Sequence, residues 1–382
     1  MPTDKPLKLA PRASHLQPST ALIQSDRRIP MPRNDVMPPI SVTTTYRVTE
    51  DVDGGNSNDG HYVYSRVEHP VRERVEEVIG HVEGGHAVVY SSGLSACYAA
   101  VGWVRPRRLL IAPGGYHGIQ LVMQLAKTRT GVPVVTLDEH TQVLPGDLLW
   151  LETPRNPDCK MQDIELYVAK AQQANQQASQ TSNRAIVAVD ATFAPPPMLH
   201  ALELGVDIVM HSTTKFYGGH SDLLAGVLVV RTVEEQEALR AERLVMGNVP
   251  GNLEVWLLLR SLRTMELRVR RQCETAHKLA AWLSSAPNAR YVKVVHHLSL
   301  PTHPDHALAR RQLKDGLFGP MMAIEMQTEA LARLLPTRVQ VIQDATSLGG
   351  VESLIDWRYK HDDTVPKVQP DVGRGGVGGW GC

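Results

Sequence analysis

Seven short apolar runs recur between residues 87 and 230: Ala87–Tyr90, Arg108–Ala112, Val132–Leu137, Asp147–Leu151, Ile186–Asp190, Ile208–His211 and Leu224–Val230. Several are almost continuously hydrophobic, as strands covered on both faces should be. Helical stretches lie between them, namely Val71–Val82, Leu94–Gly102, Gly118–Thr128 and Asp163–Gln180. This alternation predicts an α/β domain around a mostly parallel sheet. The last helical stretch runs into a Gln/Asn/Ser-rich segment, Gln172–Asn183, that reads as solvated helix or loop.

A chain of 382 residues is too long for one small core and suits two domains. Residues 1–45 read as an arm, where Pro30, Pro32, Pro38 and Pro39 predict no regular helix. Residues 46–235 hold the α/β pattern, and residues 236–382 read as a smaller C-terminal α+β domain. The segment 234–285 is helical, broken at Gly247, Pro250 and Gly251, with Arg260, Arg263, Arg268, Arg270 and Arg271 expected on a solvated or interface face. The ending, Val372–Cys382, is Gly-rich and carries no closing helix.

Lys+Arg and Asp+Glu both number 40, so the net charge of zero offers no attraction to nucleic acid or an anionic membrane. A small molecule is the expected partner. No apolar run approaches the roughly 18 residues of a membrane helix. Cys97, Cys159, Cys273 and Cys382 are scattered without a C-x-x-C, which reads as free thiols in a reducing, cytoplasmic setting. The 16 histidines include His296-His297 and His303-Pro304-Asp305-His306, yet their spacing lacks convincing metal-ligand partners, and no metal is expected.

The chemistry concentrates in Val187–Gly226, where Asp190 ends a buried strand and Lys215 follows Ser212-Thr213-Thr214. A lysine amine can hold an aldehyde cofactor as a Schiff base, and a carboxylate can keep a pyridine nitrogen protonated so that the ring accepts electrons. The pair therefore points to pyridoxal 5'-phosphate. Ser212 and Thr214 supply hydroxyls for its phosphate. A second phosphate element, Ser92-Gly93-Leu94, sits at a strand-to-helix junction, where free N–H groups and the helix dipole suit an anion. A nicotinamide enzyme would instead show G-x-G-x-x-G at the first strand–helix turn, which is absent.

In these motifs the chain resembles the Cys/Met-metabolism pyridoxal phosphate enzymes, the group containing cystathionine γ-synthase, cystathionine γ-lyase, cystathionine β-lyase and methionine γ-lyase. The resemblance runs from about Pro38 to about Trp357 and is most specific in Asp190 … Ser212-x-Thr214-Lys215 … Gly218-Gly219-His220-Ser221-Asp222. It implies an aminotransferase-like fold of type I. It also implies that Lys215 carries the cofactor and moves protons, and that Asp190 pairs with the pyridinium nitrogen. Gly93, Leu94, Ser212 and Thr214 would bind the phosphate within the subunit. Tyr64 and Arg66 of the Tyr-Ser-Arg motif would bind it from a neighbouring subunit, which implies a homodimer or homotetramer.

The segment Pro113-Gly114-Gly115-Tyr116 resembles the family's aromatic run. Tyr116 would stack on the ring and help accept a proton, its phenol pKa lowered by surrounding cations. Glu152-Thr153-Pro154-Arg155-Asn156-Pro157 resembles E-T-P-x-N-P, with Asn156 reaching the cofactor 3'-oxygen or the substrate carboxylate. Ser347-Leu348-Gly349-Gly350-Val351-Glu352-Ser353 resembles S-L-G-G-x-E-S, with Ser347 at the carboxylate site.

Several positions depart from the family pattern, the first two of them without loss of cofactor binding and the others with a bearing on substrate. Ala191 follows Asp190 where the family has Asn, and Glu68-His69-Pro70 replaces Asn-Pro-Thr. Thr346 stands where many cystathionine-handling members place a glutamate for the distal amino group. The nearest match to the family's carboxylate-clamping R-x-S-x-G is Arg374-Gly375-Gly376-Val377-Gly378, so Arg374 is the candidate clamp.

The first reading is a trans-sulfuration enzyme of the cystathionine γ-synthase/γ-lyase type, acting at Cγ of a homoserine ester or thioether amino acid. γ-Replacement and elimination share these residues. The rivals are a cystathionine β-lyase-type enzyme, differing in leaving-group position, and a pyridoxal phosphate-binding protein with little catalysis.

Overall fold

The computed structural model describes residues 16–29, 35–47, 62–177, 184–360 and 377–381. Every predicted apolar run forms a strand: β1 His86–Tyr90, β2 Arg108–Ile111, β3 Val134–Thr136, β4 Asp147–Glu152, β5 Ile186–Asp190, β6 Ile208–His211 and β7 Gly226–Val230. They join one sheet in the order β1-β7-β6-β5-β4-β2-β3. β3, β2, β4, β5 and β6 run parallel, and β7 is reversed against both β6 and β1. The parallel strands thus bring their carboxyl ends to one edge, where open α/β sheets hold ligands.

The period of two along a strand separates two cores. Leu149, Leu151, Val187 and Val189 face one cluster, whereas Leu148, Trp150 and Ala188 face the other. Helices α2 (Pro70–Glu83), α5 (Ile164–Gln176) and α7 (Asn252–Leu262) contribute to the first. Helices α3 (Gly93–Val104), α4 (His117–Thr130) and α6 (Val233–Met246) close the second. Local signals set their ends. In α2, Pro70 occupies the first turn, where its missing N–H costs nothing, and the His69 ring accepts from Val71 N. α6 begins with a capping box between Thr232 and Glu235.

The helix α8 (Met265–Leu283) leads to a second sheet of β8 Val292–His296, β9 Met321–Met326, β10 Gln343–Asp344, β11 Leu354–Trp357 and β12 Val377–Gly381. Its order is β10-β11-β12-β9-β8. Ala276 and Ala280 of α8 pack there with Ile324, Ile355 and Ala332, the last on α10 (Glu329–Arg338).

One expectation changes, and one further element was not predicted. The arm does contain a helix, α1 (Pro18–Gln24), followed by a 3-10 turn over Ser25–Arg28. The prolines taken to forbid it lie beyond it, and Pro18 starts it. Ala21 and Leu22 are buried, and Asp26 is gripped by Arg74 and Arg263. The Gly-rich ending likewise supplies strand β12 between β9 and β11. Its Val-Gly-Gly-Trp-Gly sequence offers no alternation to reveal it.

Among the described residues, no helix is long and apolar enough to cross a membrane. Cys97, Cys159 and Cys273 are buried free thiols. The histidine cluster serves loops: the His297 ring meets Gly319 O at 3.0 Å and Ser299 Oγ at 2.7 Å, and the His306 ring meets Leu298 O at 2.7 Å.

Candidate active site

Glu152 and Asp190 end β4 and β5 in direct register, so two buried carboxylates stand side by side at the ligand edge of the sheet. Burial raises the Asp190 pKa, opposed by hydrogen bonds from Thr192. Burial also raises that of Glu152, and the neighbouring Asp190 charge raises it further. Thr192 donates its amide and its hydroxyl to Asp190 Oδ1, at 3.0 and 2.6 Å. The same hydroxyl oxygen accepts from Ser212 N at 2.9 Å. Asp190 is thereby tied to the turn that carries the lysine.

That turn leaves β6 and folds tightly, with Lys215 N donating to Ser212 O at 3.0 Å and Gly219 N donating to Lys215 O at 2.7 Å. The Lys215 amine donates to Ser347 Oγ at 2.7 Å. Burial lowers the pKa of this amine, which favours the neutral, nucleophilic form. The S-L-G-G loop reaches the lysine because Gly349 has φ of +85°, and a Cβ there would stand 2.6 Å from Phe216 N and 2.7 Å from the Lys215 carbonyl carbon. Only glycine permits that approach.

Tyr116 precedes α4 and shares Glu152 with Asn156. Tyr116 N donates to Glu152 Oε2 and Asn156 N to Oε1, each at 2.8 Å. Gly115, at φ +79°, leaves the room that Glu152 occupies, since a Cβ there would lie 2.4 Å from Oε2. The phenol of Tyr116 does not have the lowered pKa expected of it. Burial pushes it up, helped by the acidic groups of Cys97, Asp190 and Glu152, and Arg358 opposes them alone.

Lys215, Asp190, Tyr116, Asn156, Ser347, Gly93, Leu94, Ser212 and Thr214 all line one cavity of about 360 Å³, within the range of small-molecule sites. Ser92 instead caps α3 by accepting from Ser95 N at 3.1 Å. The Thr214 hydroxyl donates to Ala225 O at 3.1 Å. Tyr64 and Arg66 do not line this cavity within the single chain. Tyr64 is exposed, and Arg66 donates to Leu244 O at 3.1 Å. Arg374 lies outside the described residues.

The family model for Cys/Met metabolism PLP-dependent enzymes matches residues 19–372. A cystathionine γ-synthase of Mycobacterium bovis is 34% identical over 350 residues, covering 89% of this chain and 86% of its own. A cystathionine β-lyase of Coxiella burnetii is 32% identical over 337 residues, covering 84% and 81%. A solved methionine γ-lyase from Micromonospora echinospora superposes with a TM-score of 0.82 at 32% identity, covering 96% of this chain and 95% of that one. The chain belongs to the Cys/Met-metabolism family of pyridoxal phosphate-dependent enzymes.

The residues fit that cofactor. Asp190 is a buried carboxylate on the cavity wall that, among the described residues, takes its side-chain hydrogen bonds from neutral Thr192 groups, with His211 near enough to favour its charge, so a protonated ring nitrogen on the cavity side suits it. Lys215 supplies the amine. The start of α3 beside Ser212 supplies donors and a positive dipole end for a phosphate.

Other members of this family site were not evident from sequence. Glu152 was visible only as a letter of the E-T-P-x-N-P run, and its two-handed hold on Tyr116 and Asn156 needs the fold. Arg268, expected on a solvated or interface face, is half-buried and donates to Phe216 O at 2.8 Å and Ser261 O at 2.9 Å, clamping the lysine turn. Burial lowers its pKa to about 10. Behind the site, His211 Nε2 lies 2.8 Å from Glu83 Oε1, and Tyr217 donates its hydroxyl to the same oxygen. All three side chains are buried, and His211 and Tyr217 flank Lys215 in sequence.

Proposed function

We propose that this enzyme acts at Cγ of an amino acid carrying a leaving group or sulfur there, by replacement or elimination, as the cystathionine γ-synthase/γ-lyase type does. The observation that carries this reading is the character of the cavity beyond the lysine. Met321, Met322, Thr346 and Leu354 line it with uncharged groups beside Asp356 and Arg358, which gives an acyl ester or thioether an uncharged surface to pack on.

When bound, pyridoxal phosphate supplies an electron sink for charge developed on the amino acid. Asp190 keeps its ring nitrogen protonated, and Thr192 keeps Asp190 aimed. Lys215, with its basicity reduced by burial, takes the proton from Cα and then serves Cβ. Ser347 orients that amine through the 2.7 Å bond. Tyr116, its phenol pKa raised, holds its proton and acts as a donor near the cavity. Gly93, Leu94, Ser212 and Thr214 hold the phosphate, and Asn156 faces the substrate carboxylate or the 3'-oxygen. Tyr64 and Arg66 complete the phosphate site of a neighbouring copy, which makes the working unit at least a dimer.

The test offers the holoenzyme O-acetylhomoserine with L-cysteine, or L-cystathionine alone, and identifies products by mass spectrometry. A γ-replacement product or 2-oxobutanoate is expected. Pyruvate from cystathionine would move the assignment to a β-lyase, and no product from any of them would leave a cofactor-binding protein.

A further inference from the structure

Behind the lysine turn lies a buried pair of ionisable groups that the chemistry above does not use. Glu83 is the last residue of α2, and its Oε1 lies 2.8 Å from Nε2 of His211, the last residue of β6. Their side chains are 0% and 1% exposed, so water reaches neither. The contact is an ion pair rather than an aligned hydrogen bond, and Glu83 Oε2 and His211 Nδ1 are buried without a hydrogen-bond partner among the described residues. Tyr217, two residues past Lys215, donates its hydroxyl to the same Oε1, and its ring leans on the His211 ring at 4.9 Å between centroids.

A carboxylate in so dry a place stays ionised only beside a cation. His211 can supply it. Glu83 also stands at the carbonyl end of α2, where the helix dipole favours a positive partner.

The pair meets the site through the sheet. β6 lies beside β5 with Met210 opposite Asp190, and Ala191 N donates to Met210 O at 3.0 Å. His211 is the next residue. By the period of two it shares the face of Val209, in the first core, whereas Asp190 opens onto the cavity from the other face. The imidazole still acts on Asp190, opposing the upward push of burial on its carboxyl. Thr192 aims that carboxyl but brings no charge to it. A carboxyl that is to face a protonated ring nitrogen must itself be ionised, and a nearby positive charge favours that form.

We infer that Glu83 holds His211 as an imidazolium behind the sheet, and that this buried charge keeps Asp190 ionised toward the ring nitrogen of pyridoxal phosphate. Glu83 and His211 are then positioning residues that act through Asp190, and Tyr217 ties their contact to the lysine turn. This rests on the reading that Asp190 meets the ring nitrogen.

The experiment is a double-mutant cycle read by the Kd for pyridoxal 5'-phosphate in equilibrium dialysis. His211→Gln and Glu83→Gln each remove one charge and should raise that Kd about tenfold, the equivalent of one unit in an ionisation equilibrium. Both should also slow exchange of the Cα proton of L-alanine in D2O, followed by proton NMR. In an Asp190→Asn background, with no charge left to support, the same two substitutions should leave the Kd unchanged. An equal loss in both backgrounds would make the pair merely structural and overturn the inference, as would a parental Kd in both single variants. The parent holoenzyme gives a reading that needs no variant to fold. With its histidines labelled with 15N, NMR at pH 8, where exposed imidazoles are neutral, should show one ring protonated on both nitrogens, and the absence of such a ring would also overturn the inference. A parental Kd in Asp190→Asn alone would instead sink the reading of Asp190 on which it rests.

Discussion

The Lys215 amine and the Ser347 hydroxyl meet at 2.7 Å, joining the turn after β6 to the loop between β10 and β11. The contact depends on backbone, since Ser347 itself sits at φ +85° and Gly349 packs onto the lysine main chain. Lys215→Ala should abolish the absorption of the lysine-linked cofactor and reduce turnover by orders of magnitude. Ser347→Ala should keep that absorption, because the amine remains, but lower kcat/KM about five- to tenfold for one lost hydrogen bond. Normal turnover in Lys215→Ala would remove the lysine from the mechanism.

Glu152 is a positioning residue, and its two oxygens make separate predictions. Glu152→Ala leaves the half-buried amides of Tyr116 and Asn156 without these acceptors, at about 1 kcal/mol each. Glu152→Gln keeps one acceptor and turns an NH2 toward the other amide, so it should fall between parent and alanine in melting temperature. Both variants should hold the cofactor less tightly in equilibrium dialysis. If Glu152→Ala melted and bound like the parent, the carboxylate would not be bracing either residue.

The sheet was legible because strands covered on both faces must be apolar throughout, and all seven runs appear within a few residues of their predicted limits. Lys215 and Asp190 were legible because they sit at a strand end and the turn that follows the next strand, whereas Tyr116 stood out only because its run resembles the family's. Glu152, Thr192 and Arg268 were not legible. Arg268 and Glu152 act through bonds to backbone groups distant in sequence, such as Phe216 O and Tyr116 N, and Thr192 joins the Asp190 carboxylate to Ser212 N; no periodicity encodes these contacts. β12 carries no facial pattern because its glycines have no side chains to alternate, and the arm helix lies ahead of the prolines that would break it.

Three buried histidines share one arrangement, and it sets an acid limit on stability. His69 Nδ1 accepts from Val71 N at 3.3 Å, His297 Nδ1 from Ser299 N at 3.2 Å, and His303 Nδ1 from Asp305 N at 3.1 Å. A ring nitrogen that accepts cannot carry a proton, so each ring is held neutral. Burial pulls His69 and His297 down to about 4 and lowers His303 in the same direction. The unfolded chain binds protons near pH 6.5, where the folded one does not. Stability should therefore fall as pH drops from about 6.5 toward 4 and stay level with respect to these groups above it. His69→Asn, which can still accept from Val71 N, should flatten part of that decline in melting temperature. A profile as steep as the parent's would remove His69 as a contributor.

Glu76 anchors α2 to α6 through a buried three-charge cluster. Its carboxylate lies 2.5 Å from Arg243 Nη1 and 2.6 Å from Arg240 Nη2, and Oε1 also accepts from Val89 N at 3.0 Å. Burial opposes its charge, but Arg243, Arg240 and Arg72 outweigh that, and the pKa falls to about 2. The carboxylate thus helps stability in full above its unfolded pKa near 4.5, a contribution lost progressively as pH falls from there through about 2. The two arginines differ in exposure. The Arg243 side chain is 3% exposed and also donates to Val89 O, whereas that of Arg240 is 37% exposed. Arg243→Ala should cost about 3–5 kcal/mol, because Glu76 and the Val89 carbonyl lose a partner that water cannot replace. Arg240→Ala should cost about 1 kcal/mol or less, since solvent reaches its end of the pair. Denaturant midpoints with unchanged slopes would measure both, and equal losses for the two variants would mean that burial does not set the strength of this cluster.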